Sequence, residues 1–130
     1  MATLREVLEE LNEYGQGLVL ARAERRYAKD ASAKLLELYR QERRERPELN
    51  RRALYLSIVA RRLGPQAARA GEVVRRAEES FTDWPADREL TFRDVVHYLI
   101  FDEYTRRGTA REGTKTNMRV AVARVIPNDI

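Results

Sequence analysis

His97 is the one histidine of this chain, and cysteine is absent. Thiolate nucleophiles, disulfides and cysteine-ligated metal are therefore excluded, and so is any multi-histidine metal site within one chain. As a general base, His97 would need an orienting carboxylate and a pocket. Asp94 and Asp102 stand three and five residues away, and neither spacing defines a site. The expectation is a packed or hydrogen-bonded structural histidine on the strongest helix. The pairs Glu9-Glu10, Glu78-Glu79 and Asp102-Glu103 are adjacent in sequence, and adjacent helical residues diverge by about 100° instead of converging. The Glu-x-x-His spacing of di-metal bundles and any Gly-rich phosphate loop are both missing. No cofactor is expected, and the chain reads as non-enzymatic.

Asp83 to Asp94 has the length of a calcium loop, with Asp83, Asp87 and Asp94 at its first, fifth and twelfth positions. Pro85 replaces an oxygen ligand there, and Arg88 replaces the glycine needed for the sharp turn. The segment reads instead as an interhelical loop ahead of a helix capped by Thr91.

The stretch from Ser57 to Val74 looks like a helix-turn-helix. Ala60 supplies a small residue four before the turn glycine, Gly64, and Ala70 and Val73 supply apolar residues six and nine after it. A second helix in the major groove would present Gln66, Arg69, Glu72, Arg75 and Arg76, with Arg61 and Arg62 nearby. Pro65 and Gly71 depart from that pattern, and Glu72 would face phosphates. The competing reading is an antiparallel helical hairpin with a tight glycine turn. A contiguous basic face would favour nucleic acid, whereas arginines paired with the acidic residues of 83–104 would favour structure.

The charge is unevenly placed. The basic residues are 22 arginines and 3 lysines, and the net charge is +4. Residues 1–50 balance ten basic against ten acidic, and 51–82 carry net +4. Residues 83–104 then carry net −4 and 105–130 net +4. An acidic block between two basic ones invites pairing inside the fold or with a second subunit.

Two features suit a protein partner. Phe81 and Trp84, at a helix exit beside Pro85, form an aromatic pair able to anchor one. The stripe from Leu18 to Leu38 is thin for a helix buried in a layered core, which suits packing against a partner copy as a homodimer.

These residues need helices to position them. The fold class expected is all-α, a single-domain bundle of five or six helices. Thr3 and Glu6 form a capping box, and Leu4, Val7, Leu8, Leu11 and Tyr14 share one face. Gly15 and Gly17 are expected to end or kink that helix, leaving residues 1–17 as a looser arm. A second helix from Leu18 carries Leu20, Tyr27, Ala31, Leu35 and Leu38, with a break expected near Asp30-Ala31-Ser32 and a stop at Pro47. Asn50 caps a helix over Arg51–Leu63, Gly64 closes it, and Pro65 opens another over Gln66–Phe81. Phe92–Arg107 follows, stopped by Gly108. Residues 109–116 are expected to be a mobile loop, and Met118 to Ile126 a helix capped by Asn117. No apolar run reaches the roughly 20 residues that span a bilayer. No membrane association is expected, and a cytoplasmic location is.

Overall fold

In a computed structural model that describes residues 3–80 and 89–130, the chain is helical, with no strand among the described residues. The Thr3 hydroxyl accepts from the Glu6 amide, and the Glu6 carboxylate accepts from the Thr3 amide, both at 3.3 Å. The capping box opens α1, which runs unbroken from Leu4 to Glu45. At 1.5 Å per residue it is about 63 Å long. Gly15 and Gly17 do not interrupt it. Each costs only about 1 kcal/mol against alanine, and strong helix formers such as leucine, glutamate, alanine and arginine surround them. The expected break at 30–32 is also absent, because Ala31 and Ser32 are buried on the core-facing side of the helix. Tertiary packing overrides the local preference of Asp30 and Ser32 for caps.

Asn50 caps α2 (Arg51–Leu63), its side chain accepting from the Ala53 amide at 2.8 Å. Gly64 closes α2 at φ 56°, a backbone region that favours glycine. Pro65 does not start a long helix. Residues Gly64–Arg69 form a 3-10 turn with Gln66 at φ −99°, ψ 22°, and α3 begins only at Ala70 and ends at Glu79. The Thr91–Asp94 capping box opens α4 (Phe92–Arg106), and Gly108 follows it at φ 75°. The last helix, α5 (Thr114–Val125), starts earlier than its periodicity suggests, so residues 114–116 are helix and not loop. Asn117 does not cap it.

The C-terminal half of α1 packs along α5, α2 and α3 form a hairpin, and α4 touches every other α-helix. Phe92, Val95, Val96, Leu99 and Ile100 of α4 are all buried. Against them lie Leu35 of α1, Leu54 and Ile58 of α2, Val74 of α3 and Met118 of α5. Tyr55 stacks on Phe92 with ring centroids 5.7 Å apart. Arg93 closes the C-terminal end of α5, donating to the carbonyls of Ile126 at 2.6 Å and Ala123 at 2.8 Å. Those carbonyls have no partner within the helix, so a cation there is doubly favourable.

Only the second half of α1 belongs to this core. Its buried line is Glu24, Ala28, Ala31, Ser32, Leu35, Leu36 and Glu42. Leu20, expected on the packed stripe, is exposed. Ahead of it the helix projects from the bundle with large apolar side chains in solvent. Leu4 is 76% exposed, Leu11 60% and Val19 65%.

Candidate functional site

The five arginines of the helix-turn-helix-like stretch are each held by a carboxylate. Arg61 Nη2 lies 2.8 Å from Glu42 Oε2, and Glu42 is fully buried. Arg62 grips Glu103 with two parallel hydrogen bonds, Nε to Oε1 at 2.9 Å and Nη2 to Oε2 at 3.0 Å. That grip is the main reason its guanidinium pKa is raised above the ordinary value. Arg69 Nη2 reaches Asp102 at 3.3 Å, and its Nη1 donates to the side-chain oxygen of Gln66 at 2.8 Å. Arg75 pairs with Glu79 at 2.7 Å and Arg76 with Glu72 at 2.8 Å, each one helical turn away. Arg62 and Arg69 thus meet the acidic segment 83–104 inside the fold, and Arg51 meets it through Glu89 at 2.9 Å.

The hairpin geometry follows the same lines. With the 3-10 turn occupying 64–69, Gln66 and Arg69 precede α3 instead of riding on it. Ala70, Val73, Val74 and Ala77 are buried against the bundle.

His97 is 4% exposed, and its Nε2 lies 3.0 Å from the carbonyl oxygen of Lys115. A carbonyl only accepts, so Nε2 carries the proton of the neutral ring. Burial lowers the His97 pKa below its ordinary 6.5, and the nearby charges of Lys115 and Arg119 push the same way against that hydrogen bond. Asp94 serves the α4 cap, its Oδ2 accepting from the Thr91 amide at 2.8 Å. Asp83, Asp87, Phe81 and Trp84 lie outside the described residues. Among the described residues, no group of three or more His, Asp or Glu side chains is placed to hold a metal ion. No helix there is long and apolar enough to cross a membrane.

Two buried carboxylate clusters escaped the sequence reading. Glu24 accepts from Arg111 Nη2 at 2.6 Å, from Asn117 Nδ2 at 3.1 Å and from the Thr114 hydroxyl. Glu42 accepts from the Ser57 hydroxyl at 2.7 Å in addition to its Arg61 pair. Tyr27 donates to Glu103 at 2.9 Å, and burial followed by that carboxylate raises its phenol pKa. The signal available was spacing: 24, 28, 31, 35 and 42 fall on one helical line, with glutamates at both ends.

The open surface of the molecule lies elsewhere, along α1. Three shallow grooves follow one another down that helix. The first, about 570 Å³, is lined by Leu11, Asn12, Gly15, Val19 and Leu20. The second shares Val19 and adds Arg22, Ala23 and Tyr27. The third, about 520 Å³, lies between α1 and α5 against Arg25, Arg26, Lys29 and Arg124, with Asp30 at its edge. The track is apolar at one end and basic at the other. Unlike the arginines of α2 and α3, these four cations are in no ion pair among the described residues. No family model, curated protein or solved structure matches this chain.

Proposed function

We propose that this chain is a non-enzymatic helical module that acts through protein contact, with the projecting half of α1 as its contact surface. The observation that carries this reading is the exposure of Leu4, Val7, Leu8, Leu11, Leu18, Val19 and Leu20 on one continuous helix. Leaving one large apolar side chain in water forgoes about 1.5–3 kcal/mol of burial, and a contiguous set marks a surface meant to be covered. DNA contact through residues 57–76 is the weaker reading, since its arginines are engaged by carboxylates and Glu72 stands among them.

The test is in-cell photo-cross-linking from a benzophenone-bearing residue in place of Val19. A discrete cross-linked protein band is expected, and it should vanish in the Leu8→Glu/Leu11→Glu double variant. That variant should melt within about 2 °C of the parent at low concentration, because exposed positions contribute little to the core. Absence of any discrete adduct, or a large drop in the melting temperature, would overturn the reading.

A further inference from the structure

We infer that the cationic patch where α1 meets α5 binds the phosphate backbone of duplex DNA without regard to base sequence. The patch is separate from the apolar arm, and it does not depend on the contact reading above. Arg22, Arg25, Arg26 and Lys29 lie within about two turns of α1, over a rise of about 10 Å and an arc of about 100°. Arg22, Arg26 and Lys29 are exposed, and Arg25 is half-buried. Arg124 of α5 stands on the other wall of the groove of about 520 Å³ that Arg25, Arg26 and Lys29 line. None of these five cations is in an ion pair among the described residues. Glu24, the one carboxylate in residues 20–29, faces the core, where Arg111, Thr114 and Asn117 occupy it. Asp30 stands at the edge of the groove. Farther along the exposed side of α1, Glu37 mixes with Arg40 and Arg44, so the patch ends near Lys29.

This arrangement works against the helix that carries it. Residues three and four apart on a helix are neighbours, and like charges at those spacings destabilise it. Arg22 has Arg25 and Arg26 at those spacings, and Lys29 has the same two. Elsewhere the fold supplies counter-charges: Arg61, Arg62, Arg69, Arg75 and Arg76 each meet a carboxylate. A repulsive cluster without an internal counter-charge is matched by an external polyanion. The groove is shallow and open, whereas small-molecule pockets enclose most of their ligand, so an extended ligand fits it better. Duplex DNA carries one charge per about 1.7 Å of axis, which sets about six phosphate charges along the 10 Å of the patch. It is stiff over about 150 base pairs, so little ordering is needed on binding, unlike an acidic peptide. The apolar groove residues, Ala121 and Val125, offer no side-chain hydrogen bond to a base edge, so contact stays on the backbone.

The test is fluorescence anisotropy of the full chain with a labelled duplex of about 20 base pairs, at salt from about 50 to 200 mM. With five cations in reach of phosphates, the logarithm of the binding constant should fall against that of the salt concentration with a slope of about −4.5. Arg22→Gln/Arg26→Gln should weaken binding at least about tenfold at low salt and bring the slope to about −2.7. Arg124→Gln, from the other helix, should bring it to about −3.6. The control Arg75→Gln/Arg76→Gln loses the same charge on α3, which does not pack on α1, and should change neither quantity. A duplex of unrelated sequence should bind equally well, and poly-L-glutamate at equal charge should compete poorly. The α1 variant should melt no lower than the parent, because it relieves like-charge repulsion. If it does melt lower, Arg124→Gln decides, and an unchanged slope there overturns the inference. Absence of binding at about 50 mM salt, or an equal loss in the α3 control, would overturn it too. So would tighter binding of the single strand, a strong preference between two duplex sequences, or equal competition by poly-L-glutamate.

Discussion

Glu24 and Arg111 meet at 2.6 Å although 87 residues separate them. The carboxylate is 1% exposed, and Thr114 and Asn117 donate to it as well. One buried group on α1 therefore fixes both the start of α5 and the segment leading into it. Removing it strands several donors at once. Glu24→Ala should destabilise the fold by about 3 kcal/mol, and Glu24→Gln by less, because the amide still accepts hydrogen bonds. Urea denaturation with both variants checks the order, and an Ala variant as stable as the parent would contradict it.

A different outcome is expected at Tyr55. Its hydroxyl is buried with no hydrogen-bond partner among the described residues, and burial pushes its pKa up to about 12. Tyr55→Phe keeps the stacking on Phe92 and removes an unsatisfied polar atom. Stability should be unchanged or rise by about 1 kcal/mol, measured by thermal melting. A loss larger than about 1 kcal/mol would mean the hydroxyl has a stabilising partner.

How much of this was legible in the sequence divides along physical lines. The caps at Thr3, Asn50 and Thr91 and the stops at Gly64 and Gly108 are local chemistry, and each stands where its residues put it. The continuity of α1 was not legible. Gly15, Gly17, Asp30 and Ser32 each argue locally for an end, and burial of Ala31 and Ser32 in a distant core outweighs them. The stripe was misplaced at Leu20 for the same reason. The core line passes through Glu24 and Glu42, whose polarity hides it until Arg111 and Arg61 are brought across the fold. The early start of α5 follows too, since Asn117 is recruited by Glu24 instead of capping. The arm leucines were visible as a face, but their exposure depends on where the bundle ends.

The Arg62–Glu103 pair separates structure from DNA contact. Arg62→Ala leaves a partly buried carboxylate beside Tyr27 without its bidentate partner and should cost about 2 kcal/mol of stability. Fluorescence anisotropy with labelled duplex DNA at low salt should show no binding by the parent chain that Arg62→Ala or Arg69→Ala weakens. Salt-sensitive binding lost in both variants would instead restore the 57–76 region as a DNA surface.

His97 gives the fold a pH dependence whose sign is fixed. Burial favours the neutral ring, so the folded pKa lies below 6.5. Between those two values the unfolded chain binds the proton more readily, and acid draws the equilibrium toward it. The contribution of His97 is therefore full above about pH 6.5, declines as the pH falls toward the folded pKa, and levels off beneath it. Protonation would also place a positive charge near Lys115 and Arg119, which is why the ring resists it. His97→Gln keeps a side-chain donor able to reach the Lys115 carbonyl and removes the titration. Denaturation midpoints of the parent should fall between pH 7 and pH 5, while those of the variant should stay nearly flat over the same interval. Parallel slopes in the two proteins would assign the pH dependence to other groups.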